Sequence, residues 1–92
     1  MLKLITTGQF CKDYKRVKRR GYDMKRLEDI IDQLLAEQPL AEKHRDHALV
    51  GNYIGFRECL IMPDWLLIYA VDKGQLILTA SRTGSHADLF SM

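Results

Sequence analysis

The sequence predicts an α+β domain in which an opening strand and a helical hairpin pack on an antiparallel β-meander. Three observations carry this expectation. Apolar residues recur at helical spacing from Phe10 to Leu35, interrupted by Gly21. From Tyr53 onward the pattern changes to three short runs, YIGFRECLIM, WLLIYAV and QLILTAS, rich in β-branched, aromatic and aliphatic residues. Turn residues separate these runs, Pro63-Asp64 in one gap and Asp72-Lys73-Gly74 in the other. A chain of 92 residues is sized for one domain, 1–92, with a thin core.

Each element has a local reason. Leu2, Leu4 and Ile5 suggest a short first strand. Thr6 or Thr7 can cap the helix that follows, and Thr6 with Gln9 has capping-box spacing. Phe10, Tyr14 and Val17 fall on one face of that helix, and Gly21 ends it. Asp23 can cap a second helix, whose stripe Met24, Leu27, Ile30, Ile31, Leu34, Leu35 reads as core until Pro39 stops it. A polar connection, residues 40–52, leads to the meander, whose middle strand is apolar enough to be buried on one face by the helices. The tail after Ser81 can form a last short helix.

Composition narrows the classes of function. Hydrophobic residues make up 47% and charged residues 28%, an ordinary globular balance without a run long enough for a membrane span. The opening MLKLITTGQF lacks the apolar core of a secretory signal, so a cytoplasmic protein is expected. Cys11 and Cys59, far apart, then read as reduced thiols packed as small apolar groups. Net charge is +2, yet residues 12–26 alone carry eight basic and two acidic side chains, or +6. Such a stripe suits a polyanionic partner, nucleic acid or an acidic protein segment, with Lys12, Lys15 and Arg19 as candidate contacts.

No P-loop, dinucleotide fingerprint, HExxH or Cys/His metal cluster is present, so no cofactor or metal is expected. Polar residues at strand ends and loops remain: His47, Asp64, Arg82 and His86. In the stretch RTGSHADLF, Arg82 ends a strand run, Thr83-Gly84-Ser85 offers turn and cap chemistry, and Leu89 and Phe90 can pin the tail. Histidines, a carboxylate and an arginine without a metal suit cleavage of RNA by its own 2′-hydroxyl. One group takes the 2′ proton, another protonates the departing 5′ oxygen, and a fixed cation stabilises the phosphorane-like transition state. Removing Arg82 should then cost activity while leaving the fold intact.

Three motifs, DHALVGNYIGFREC, PDWLLIY and RTGSHADLF, in this order and spacing, resemble the YafQ-type toxins of bacterial toxin–antitoxin modules. The resemblance covers nearly the whole chain and implies a RelE/ParE-like, microbial-RNase-like fold. It also implies a ribosome-dependent messenger RNA endonuclease, neutralised by a DinJ-like antitoxin and reaching operator DNA through the antitoxin complex. Carried over by position, acid–base chemistry falls on His47, Asp64 and His86, transition-state charge on Arg82, and substrate positioning on Phe90. Trp65 stands between core and substrate platform. His44 matches no motif position and reads as exposed. The chain departs from the family at Leu60, where such toxins carry a histidine, which predicts weakened cleavage; Glu58, on the same strand face, is a remote substitute. The competing readings are a ParE-like toxin that does not cut RNA and an inactive protein that binds only antitoxin and operator.

Overall fold

The computed structural model describes residues 1–90. The elements run β1 (Lys3–Thr6), α1 (Gly8–Arg19), α2 (Met24–Leu35), β2 (His47–Ala48), β3 (Arg57–Met62), β4 (Trp65–Asp72), β5 (Ile77–Gly84) and α3 (His86–Phe90), with short 3-10 turns at Glu42–His44 and Gly51–Tyr53. They form one five-stranded sheet in the order β1-β5-β4-β3-β2. The meander β3-β4-β5 is antiparallel as expected, and β1 adds to it in parallel beside β5, with Lys3 opposite Ile77.

Local chemistry fixes the helices. Thr7, not Thr6, caps α1: its hydroxyl accepts from Phe10 N at 3.0 Å and donates to Ser81 O at 2.9 Å, tying the helix start to β5. The expected capping box fails because Gln9 instead reaches Asp13 on its own helix. Gly21 adopts φ +84, a left-handed conformation open to glycine, and lets the chain reverse into α2. Asp23 caps α2 through Lys25 N.

The core lies between the two long helices and one sheet face. Phe10, Val17, Leu27, Ile30, Ile31 and Leu34 meet Cys59, Ile61, Trp65, Leu67, Tyr69, Leu78 and Ala80. Contrary to the sequence reading, β4 is buried on both faces. Leu66 and Ile68 point away from the helices and join Leu89, with Leu49, Tyr53, Phe56 and Leu60 packed around them. The loop before β3 and the tail after β5 thus cover the second face. Cys59 packs as expected, and burial pushes its thiol up to about 12, which leaves it inert at neutral pH. Cys11 does not pack: it is exposed on α1 beside Thr6.

Candidate active site

The second sheet face carries the polar residues. Register aligns His47 with Glu58, Glu58 with Ile68, and Ile68 with Arg82. Side chains directly opposite one another share a face, so these four form one row across β2, β3, β4 and β5. The next row is Leu60, Leu66 and Gly84. β2 is only two residues long, but it is the element that puts His47 in this row.

Between the β2–β3 edge and α3 lies an open cleft of about 860 Å³, lined by His44, His47, Glu58, Leu60 and His86. Arg26, Lys43 and Arg45 surround it with positive charge. Each histidine is held by its Nδ1. His44 bonds Leu60 O at 2.6 Å, His47 bonds Arg45 O at 2.6 Å, and His86 bonds Asp64 Oδ1 at 2.8 Å. A carbonyl oxygen only accepts, so Nδ1 of His44 and of His47 carries the hydrogen and Nε2 is the basic nitrogen. His47 Nε2 stands 3.9 Å from the Glu58 carboxylate, itself nearly buried. His44 is therefore part of the cleft, half-buried and not exposed as the sequence suggested.

Asp64 sits behind His86 and does not line the cleft. It accepts from both the ring and the backbone N–H of His86, the latter at 3.1 Å, so it orients the ring and anchors the start of α3. These hydrogen bonds hold its carboxyl below the ordinary aspartate value. Placed in this way, Asp64 orients the His86 ring, whereas the resemblance gave it a share in the acid–base chemistry.

Arg82 is anchored on a residue absent from the sequence-based site. β1 ends at Thr6, and α1 lies along the β5 edge that this leaves open, where Thr83 N donates to Asp13 Oδ2 at 3.3 Å. Asp13 is fully buried and also accepts Arg82 Nε at 2.7 Å and Arg82 Nη2 at 3.2 Å. Burial pushes the Asp13 carboxyl up, but hydrogen bonds from Arg82, Gln9 and Thr83 N outweigh it and leave the group lowered. Arg82 is raised in turn, the Asp13 hydrogen bond being the largest cause. The Tyr53 hydroxyl also acts on the guanidinium, in the same direction. Sequence reasoning missed Asp13, although one signal was present: it lies on the Phe10–Val17 face, an acid in an otherwise basic helix.

The remaining candidates divide. Trp65 belongs to the core at 3% exposure, with its indole N–H donated to Thr83 Oγ1 at 2.9 Å. That burial removes it as a substrate platform. Phe90 is 36% exposed and meets Tyr53 edge-on, with ring centroids 5.8 Å apart. Of the basic stripe, half is internally paired: Arg16 with Asp13 and Asp88, Arg20 with Asp88, Lys25 with Asp29, and Arg26 with Asp23. Lys12, Lys15, Lys18 and Arg19 instead line a shallow depression on the outer face of α1. Among the described residues, no group of three or more His, Cys, Asp or Glu is placed to hold a metal ion.

A compact α+β fold with histidines, an anchored arginine and an aromatic on one sheet face defines the class of small RNase-like toxins. The comparisons agree. The family model for YafQ, the bacterial toxin of type II toxin–antitoxin systems, matches residues 2–91. The mRNA interferase toxin YafQ of Escherichia coli K12 is 40% identical over 86 residues, covering 91% of this chain and 90% of the relative. A metal-bound toxin from Helicobacter pylori is 43% identical with a TM-score of 0.92, covering 98% of this chain and 100% of that one. YafQ in the Escherichia coli DinJ–YafQ complex is 35% identical with a TM-score of 0.89, covering 98% of this chain and 99% of that one. The chain belongs to the YafQ family of type II toxins.

Proposed function

We propose that residues 1–92 act as a single toxin domain, a metal-independent messenger RNA endonuclease that works on the translating ribosome. The 2′-hydroxyl of one nucleotide attacks the adjacent phosphorus as a cleft residue takes its proton. The bond from phosphorus to the 5′ oxygen breaks as a second residue returns a proton to that oxygen. The products are a 2′,3′-cyclic phosphate and a 5′-hydroxyl. Two of the cleft histidines, His44, His47 and His86, supply the acid–base chemistry, Asp64 orients His86, Arg82 meets the phosphoryl charge with its guanidinium, and Phe90 stacks on a base.

One observation carries this reading most directly: imidazoles face one basic-rimmed cleft, each fixed through Nδ1 so that Nε2 is the working nitrogen. The open cations Lys12, Lys15, Lys18 and Arg19 suit the phosphate backbone of ribosomal RNA. The likeness to YafQ in the DinJ–YafQ complex supports a DinJ-like antitoxin as partner; a cytoplasmic location and operator DNA reached through that complex are part of the same proposal.

The test is cleavage of a defined message on purified ribosomes, with the new ends analysed chemically. A cyclic or 3′-phosphate is expected, and a free 3′-hydroxyl would exclude attack by the 2′-oxygen. A protein that binds antitoxin but never cuts would support the reading of an inactive antitoxin-binding protein, which Leu60 favours.

A further inference from the structure

We infer that His44 is the general base of this cleft, a role that neither the motif match nor the family resemblance assigns to it. The inference rests on the cleft being the site of RNA cleavage and decides which ring begins the reaction. The chain has three histidines, and all three line the cleft. His47 already turns Nε2 toward the Glu58 carboxylate at 3.9 Å, so that nitrogen faces an acidic neighbour. Among the described residues, the Nε2 atoms of His44 and His86 have no hydrogen-bond partner in the protein.

These two rings differ in what stands behind them. His86 has the ionised Asp64 carboxylate at Nδ1, an arrangement suited to holding and delivering a positive proton. His44 has a neutral carbonyl, Leu60 O, which fixes Nδ1 as the N–H and leaves a lone pair on Nε2. Its position is set by the turn that carries it. It closes the 3-10 turn Glu42–His44, and Arg45, in left-handed conformation at φ +47, then swings the chain back into β2. The ring is thereby docked on the backbone of β3 at residue 60, where Leu60 contributes only an apolar side chain. Proton flow balances: the 2′ proton goes to His44 Nε2, and His86 gives its proton to the 5′ oxygen.

The charged and titratable groups facing His44 are Arg26 from α2, Lys43 and Arg45 from its own turn, His47 from β2, Glu58 from β3 and His86 from α3. The decisive variant is His44→Asn. Its amide keeps a donor near the Nδ1 position for Leu60 O but has nothing at Nε2, so a merely structural histidine would be replaced without loss. Single-turnover cleavage on ribosomes should fall about 10²–10⁴-fold. The acid-side decline of the rate, due to protonation of the base, should vanish while the alkaline-side decline from His86 remains. Melting and antitoxin binding serve as fold controls. Should His44→Asn fold poorly, His44→Gly supplies a second arm, in which added imidazole is expected to accelerate cleavage.

A wild-type rate and unchanged pH profile in His44→Asn would overturn the inference alone, as would a folded His44→Gly that imidazole leaves unaffected. A wild-type protein that cuts no message would overturn the cleavage reading and this assignment with it.

Discussion

The Asp13–Arg82 pair changes what a mutation at Arg82 means. The sequence reading treated Arg82→Ala as a clean loss of one transition-state donor. In the structure Asp13 is fully buried beneath that guanidinium. Removing one partner of a buried pair costs roughly 3–5 kcal/mol. Arg16 and the amide of Thr83 still face Asp13, so the expected loss lies at or below the bottom of that range. Urea unfolding of Arg82→Ala should show it. Arg82→Leu combined with Asp13→Leu should regain much of the stability while cleavage stays low, which separates packing from catalysis. His44 and Asp13 escaped the sequence reading for the same physical reason. A charged or titratable residue can be read from a sequence, but its burial and its partner 69 positions away cannot. His47, Arg82 and His86 were named from their places at strand ends and loops, and Phe90 from the motif that carries the resemblance.

At the scale of elements, the helices were legible because amphipathic spacing and caps are local. Both depend on specific contacts. Replacing Thr7 by Ala removes a hydroxyl that caps α1 and also bonds β5, and loss of such a cap typically costs about 0.5–2 kcal/mol. Thr7→Ser should retain most of it in thermal melts. α3 is too short to persist unaided, and its start is built from reciprocal bonds: Ser85 N donates to Asp88 Oδ2 at 3.0 Å, and Asp88 N to Ser85 Oγ at 3.1 Å. Gly84 precedes it at φ +152, and a Cβ there would lie 3.0 Å from Asp88 Cβ. Gly84→Ala is therefore expected to loosen α3 and displace His86, costing on the order of 1–3 kcal/mol of backbone strain and slowing cleavage. Exchange of the α3 amides with solvent checks the first effect. β2 was not legible: two residues show no alternation, and only pairing with β3 identifies them. Parallel pairing of β1 with β5 was equally hidden, since β1 is four exposed residues whose partner lies at the far end of the chain.

For the molecule as a whole, acid should act through the carboxylates that join α1 to the tail. Arg20 Nη1 and Nη2 reach Asp88 at 2.7 and 3.1 Å, and that pairing, against the opposing effect of burial, holds the Asp88 carboxyl at about 2. Asp13 is lowered as well. A carboxyl depressed by folding contributes stability above its unfolded value, near 3.8, and the contribution fades as pH falls toward the folded value. Melting temperature should thus hold near neutrality and drop between about pH 4 and pH 2, and Asp88→Asn should reduce that dependence. On the outer face of α1, reversing Lys12, Lys15 and Arg19 to Glu should weaken ribosome association and flatten its salt dependence, with stability little changed. The marriage of first strand to last has a further meaning during synthesis. Thr7 waits for Ser81 and Asp13 for Arg82, so β1 and both long helices leave the ribosome before the strand that holds them has been made. A nascent chain short of β5 has no seat for β1, only Arg16 as counter-ion for Asp13, and no His86. The cleft is therefore expected to form only once the last strand and α3 have been made, so that a prematurely terminated fragment lacks it.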